Sequence, residues 1–142
     1  MGDATTLLAL AERVEKVAGD DAMSRTMRAL NADILRATGW REAEGDVIDP
    51  AGNLRMQVPF YVGSIDAAMT LVPDGHTVQM SDWDAELLRD KGPWQAIVLP
   101  MGARGSMQQF TFTNRCDHAA NPALALTAAA LRARAAQITE DR

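Results

Sequence analysis

The residues of this chain that are capable of chemistry gather in a few short stretches. Cys116-Asp117-His118 sets a thiol, a carboxylate and an imidazole side by side, the groups that a thiol enzyme uses as nucleophile, orienting acid and base. Sequence neighbours point apart, however, and catalytic partners normally meet from separate elements, so the triplet reads as a loop ahead of the last helix. His76, His118 and Cys116 with one carboxylate would supply a set of metal ligands, but none has the paired spacing of a zinc motif. Ser64 follows Gly63 as in an esterase elbow. The second glycine of that motif is missing, and a serine just ahead of Ile65 suits a helix N-cap. No catalytic residue, metal site or cofactor is expected from these stretches, which points to a protein that binds rather than an enzyme.

Two further stretches carry binding chemistry. Gly102-Ala103-Arg104-Gly105-Ser106 offers backbone N–H groups and a guanidinium to an anion, yet lacks the Lys-Ser/Thr ending and following helix of a phosphate loop and reads as a hairpin turn. Arg104, with Arg115, is the candidate anion contact. Asp82-Trp83-Asp84-Ala85-Glu86 surrounds an aromatic ring with carboxylates and reads as a solvated acidic connection. Trp83 and Trp40 both stand at element ends rather than inside apolar stripes, and tryptophan is enriched where interfaces concentrate their binding energy. Trp40, Asp82, Trp83, Asp84 and Glu86 are therefore the candidate protein interface.

The composition bounds what such sites can serve. With 142 residues, 47% hydrophobic and 23% charged, the chain has the size and balance of a single globular domain spanning residues 1–142. Its formal charge is −5, from 19 acidic and 14 basic residues, and no block of Lys or Arg is present to neutralise successive phosphates. Direct nucleic-acid binding is disfavoured. The single cysteine, Cys116, forms no intramolecular disulfide and suits a reducing compartment. No signal sequence or membrane span is visible, so a cytoplasmic location and no membrane partner are expected.

The elements that must position these groups follow from periodicity. Leu7, Leu10, Ala11, Val14 and Val17 keep helical spacing up to a stop at Gly19. Asp20 or Asp21 then caps a second helix with Met23, Met27, Leu30, Ile34 and Ala37 inside, ending at Gly39. Val47 and Ile48, the turn Asp49-Pro50-Ala51-Gly52-Asn53, and alternating Leu54, Met56 and Val58 predict a β-hairpin. A short helix follows Ser64, and strands are predicted at His76–Ser81, at Trp94–Leu99 as a central strand, and at Gln108–Asn114 as the last. Asn121-Pro122 opens a long helix through Leu124, Ala128, Leu131, Ala135 and Ile138. Connections too short for parallel crossovers make the sheet mostly antiparallel.

Three of these stretches, Leu7-Leu-Ala-Leu-Ala-Glu-Arg-Val-Glu15, Tyr61-Val-Gly-Ser-Ile-Asp-Ala-Ala-Met-Thr-Leu-Val-Pro73 and Asn121-Pro-Ala-Leu-Ala-Leu-Thr-Ala-Ala-Ala-Leu-Arg-Ala-Arg134, together resemble the phage ABA sandwich domain family of small phage and prophage proteins. The strand start Pro93-Trp94-Gln95-Ala96 adds to the likeness. The resemblance implies a three-layer fold and a phage or prophage setting, and carries no shared catalytic set. The expected fold is thus an α/β (α+β) three-layer sandwich, with a mostly antiparallel sheet of about four to five strands and helices on its faces.

The expected activity is non-enzymatic: an accessory protein that occupies the surface of a host protein, such as an anti-CRISPR-like inhibitor of a host defence complex. The alternative is a small-ligand binder that sequesters a signalling nucleotide, with Arg104 and Arg115 on phosphate and a tryptophan face under the base; an enzyme comes third, and a homo-oligomer is compatible with all of them. On the leading expectation, Trp83→Ala, or charge reversal at Asp82, Asp84 or Glu86, weakens partner binding in a pull-down while leaving the thermal melt unchanged.

Overall fold

The computed structural model describes residues 3–17, 25–82, 93–100 and 114–140. Helix α1 (Ala4–Glu15) starts where the Asp3 side chain accepts the Thr6 N–H at 2.8 Å, and it buries Leu7, Leu10, Ala11 and Val14 at the predicted spacing. Helix α2 (Arg25–Ala37) buries Met27, Leu30, Asn31 and Ile34. The expected stop at Gly19, the caps Asp20 and Asp21, and Met23 lie outside the described residues.

The end of α2 is set by Gly39. Its φ of 102° is open to glycine and strained for other residues, and it closes the helix with paired bonds: Gly39 N–H to the Arg36 carbonyl at 3.3 Å, and Trp40 N–H to the Leu35 carbonyl at 3.0 Å. A Cβ at position 39 would also press on Pro50 at 3.2 Å. The chain therefore leaves α2 in one direction, and Trp40 is the first residue along it.

Six strands form two antiparallel sheets among the described residues. The first joins β1 (Arg41–Ala43), β2 (Asp46–Ile48) and β3 (Leu54–Arg55) in that order; the second joins β4 (His76–Asp82), β5 (Trp94–Pro100) and β6 (Arg115–Ala119), with β5 in the middle. The fold is α+β with antiparallel pairing, and β5 holds the predicted central place. The expectation of one sheet of about four to five strands is corrected to two sheets of three strands each.

The reason for the split lies between β3 and β4. Rather than extending the first sheet, Pro59, Phe60, Tyr61 and Val62 run into the interior, where Tyr61 is 3% exposed and Val62 fully buried. Their backbone groups are met by side chains: Asn31 donates to the Pro59 carbonyl at 3.0 Å and accepts the Tyr61 N–H at 2.8 Å, and the Thr127 hydroxyl donates to the Tyr61 carbonyl at 3.0 Å. Buried backbone must be hydrogen-bonded, and here two polar side chains do what a strand neighbour would otherwise do. Ser64 then caps α3 (Ile65–Met69) as predicted, accepting the Ala67 N–H at 3.2 Å.

A second correction concerns the last strand. The predicted segment Gln108–Asn114 lies outside the described residues except for Asn114, whose carbonyl accepts the Val98 N–H at 3.0 Å. The pairing continues beyond it, with Ile97 opposite Arg115 and Ala96 opposite Cys116, so Cys116-Asp117-His118 lies in β6 and not in a loop.

Helix α4 (Pro122–Glu140) is capped by the Asn121 side chain, which accepts the Leu124 N–H at 2.8 Å. Every residue from Ala123 to Leu131 is buried, because α4 packs against β5 and β6 and also against α1 and α3. A helix apolar on all sides belongs in the middle of a domain, and Ala123, Ala125, Ala128, Ala129 and Ala130 keep its surface thin enough for neighbours to approach closely. No helix among the described residues is long and apolar enough to cross a membrane.

Asn31→Leu orphans two buried backbone groups where Thr127→Val orphans one. At about 1–3 kcal/mol per unsatisfied group, urea denaturation should show Asn31→Leu losing about 2–5 kcal/mol and Thr127→Val clearly less.

Candidate functional site

The clamped segment fixes the position of one aromatic group. The Tyr61 hydroxyl accepts the Trp40 indole N–H at 3.1 Å, so Trp40 is held by its backbone at the α2 exit and by its ring nitrogen at Tyr61. Burial pushes the Tyr61 phenol above its ordinary pKa, against the opposing influence of the Trp40 N–H, the neighbouring Thr38 and Thr70 hydroxyls and the Arg134 guanidinium. Tyr61 therefore stays a neutral hydroxyl.

Two clefts share Trp40 and Val58 in their walls. One, of about 470 Å³, is mostly apolar and is walled by Leu35, Trp40, Val47 and Val58, with Arg36, Arg41 and Glu42 at its margin. The other, of about 540 Å³, runs from the Asp49–Arg55 turn across Trp40 and Tyr61 to Arg134. Its turn is built on Asp49, whose carboxylate accepts the N–H groups of Ala51 at 3.0 Å and Asn53 at 2.9 Å and pairs with Arg55 Nε at 2.8 Å. The Asn53 N–H and then the Arg55 guanidinium hold the Asp49 carboxyl below the usual carboxylate range.

Arg134 enters the second cleft from α4. Its Nε donates to the Leu71 carbonyl at 2.6 Å, and among the described residues no carboxylate forms an ion pair with it. The other two half-buried guanidinium groups are paired: Arg132 with Glu15, where it also donates to the Arg115 carbonyl at 2.6 Å, and Arg115 with Asp117 at 2.8 Å. Burial lowers the Arg134 pKa, with Tyr61 and Asp74 opposing the shift, the mark of a cation short of a counter-charge.

Of the candidate residues read from the sequence, Trp40 is in the wall between the clefts. Asp82 is exposed at the end of β4, and Arg115 lies in β6 with its charge answered by Asp117; neither lines these clefts. Trp83, Asp84, Glu86 and Arg104 lie outside the described residues. Tyr61 and Arg134 were missed as site residues: the first sits in the Tyr61–Pro73 stretch read for its helix, and the second in an Ala-rich helix where arginine reads as surface charge.

Cys116 is fully buried, its thiol 3.6 Å from the His118 carbonyl. Burial, helped by the nearby Glu15 charge, pushes the thiol pKa up to about 12, which keeps it protonated and unreactive at neutral pH. His76 Nδ1 lies 3.2 Å from the Asp74 carbonyl, and no group of three or more His, Cys, Asp or Glu side chains converges among the described residues. Because the folded thiol holds its proton to a higher pH than the unfolded one, its contribution to stability is full below the ordinary thiol pKa and fades as pH rises from there toward about 12. Alkylation of Cys116 by iodoacetamide at pH 8 should accordingly be slow in the native protein and become fast only in denaturant, followed by intact mass.

Comparison with known proteins adds no relative: no family model, curated protein or solved structure matches the chain.

Proposed function

We propose that this protein acts by binding, through the outer face of the β1–β3 sheet and the apolar cleft beside Trp40, and that its partner is another protein. The observation that carries the reading is the exposure of Leu54, Met56 and Val58, which are 67%, 100% and 43% accessible. Leu54 belongs to β3, an edge strand of its sheet, and Met56 and Val58 follow in the bend and connection after it, so the three lie in one short exposed stretch. Soluble domains seldom leave an apolar row on a sheet edge, because such edges pair with other chains. The one charge within the row, Arg55, is drawn to Asp49. Val58 also walls the apolar cleft, so row and groove form a continuous surface with Trp40 as a rigid aromatic anchor.

The resemblance of the Leu7–Glu15, Tyr61–Pro73 and Asn121–Arg134 stretches to the phage ABA sandwich family supports a phage or prophage setting, a three-layer arrangement and a host cytoplasm as the place of action. Within that setting the partner is a host protein, and inhibition of a defence complex is the activity such occupancy would produce. Burial and protonation of Cys116 favour a binder over a thiol enzyme.

The test is intact-complex mass spectrometry of tagged protein purified gently from its host, beside the triple variant Leu54→Glu, Met56→Glu, Val58→Glu and the single variant Asp82→Lys. These side chains are solvated, so each variant should melt within about 1 kcal/mol of the parent. A stoichiometric protein partner lost from the triple variant is expected, and its retention by Asp82→Lys would set the apolar row apart from the acidic stretch expected from the sequence. Retention by a folded triple variant, or a parent protein that carries no partner, overturns the reading.

A further inference from the structure

Arg134 is half-buried on α4, and its hydrogen bonds only half explain its place there. A guanidinium carries five N–H donors; Nε is committed to the Leu71 carbonyl, and the two terminal nitrogens have no acceptor among the described residues. No buried side-chain nitrogen among the described residues lacks a partner, so these terminal nitrogens open to solvent in the cleft, on a guanidinium whose partial burial without an ion-pair partner carries a cost.

The surroundings of Arg134 are those of a receptor for negative charge. The cleft it lines is walled by a second guanidinium, Arg55, whose side chain is 56% exposed, and by Thr38, Thr70, Tyr61 and Trp40. Among the described residues Asp49 is the one acid on the wall, and its oxygens are already engaged by two backbone N–H groups and Arg55. Asp74 is close enough to favour the charged form of Arg134, without pairing to it. On the wall itself two guanidinium groups stand against one committed carboxylate, with Asp74 beyond it, in a chain whose formal charge is −5. Local sign, set against the global sign, decides what a concave site attracts.

We propose that the cleft between the Asp49–Arg55 turn and Arg134 is a binding site for a small anion of the phosphate class, gripped by the terminal nitrogens of Arg134 and Arg55. Planar guanidinium forks match phosphate oxygens with paired, charge-assisted hydrogen bonds. The site shares Trp40 and Val58 with the apolar surface proposed above, and the Arg55 and Arg134 variants test it apart from that surface. It is distinct from the glycine-rich turn at Arg104, which lies outside the described residues.

The probe is inorganic phosphate, titrated into the ¹⁵N-labelled full chain at constant ionic strength with chloride as the replaced ion. The readouts are the indole N–H resonance of Trp40 and the Nε–H resonance of Arg134. A saturable shift of both is expected, with the Trp94 indole unmoved. Arg134→Gln should weaken the affinity roughly tenfold to a hundredfold, the loss of one or two charge-assisted bonds. Because Arg134→Gln also loses the Leu71 contact, Arg55→Gln serves as the second variant; its side chain is solvated, and it should keep the fold while weakening phosphate several-fold. A linear drift shared by all resonances, or an affinity unchanged in Arg55→Gln and in a folded Arg134→Gln, overturns the proposal.

Discussion

The structure hinges on a buried stretch of chain that is neither helix nor strand. Between β3 and α3 the backbone runs into the core at Pro59–Val62, and unpaired amides there would offset much of what the burial of Tyr61 and Val62 contributes. Asn31 from α2 and Thr127 from α4 supply the missing partners. These bonds tie the two helices to one segment. They also set the height at which Tyr61 stands, hence where Trp40 docks and where the two clefts divide. Asn31 interrupts an otherwise apolar stripe, and the interruption is what makes the crossing possible.

Helix α4 makes the complementary contribution. Its alanine-rich first half has no polar face, so it can be enclosed by α1, α3 and the second sheet together. Its second half sends charges in different directions. Residues two apart on a helix point to roughly opposite sides, and Arg132 reaches Glu15 and the Arg115 carbonyl while Arg134 reaches the Leu71 carbonyl and the cleft. Arg132 thus ties α1, α4 and β6 together by a paired charge, and Arg134 brings to the other side of the same helix a charge with no ion-pair partner among the described residues.

How much of this was legible in the sequence depended on whether a local rule sufficed. Helical spacing located the helices, and Ser64, Gly39 and Asn121 end or begin them for reasons visible in one turn of chain. Strand β5 was read as central from its continuous apolar run. Strand β1 was not seen: it is three polar-rich residues closed by a turn with Glu44 and Gly45 at φ 55° and 84°, and its only signal was that glycine. The division into two sheets was invisible because it depends on Asn31 and Thr127 meeting a segment far along the chain. The alternation of Leu54, Met56 and Val58 was visible, but alternation shows which residues share a face and not what covers it. Here nothing among the described residues does. Arg134 was lost for a related reason, since periodicity cannot distinguish an arginine at the surface from one that lines a cleft.

The same constraint bears on how the surface can bind. An aromatic wall that must order itself on binding loses conformational freedom, and that loss is subtracted from affinity. Trp40 has little left to lose: the Gly39 closure fixes its backbone, the Tyr61 hydroxyl fixes its indole, and Tyr61 is itself fixed on both sides by Asn31 and Thr127. Both clefts therefore exist before any ligand arrives, as most small-molecule sites and standing grooves do. Rigidity also keeps them apart in energy. A wall with one available position transmits no change from one side to the other, because coupling between sites requires an element with two arrangements that each ligand favours differently. The chain pays for this wall with a polar clamp in its core, and in return a mostly apolar cleft and a cleft lined by two guanidinium groups share one fixed ring.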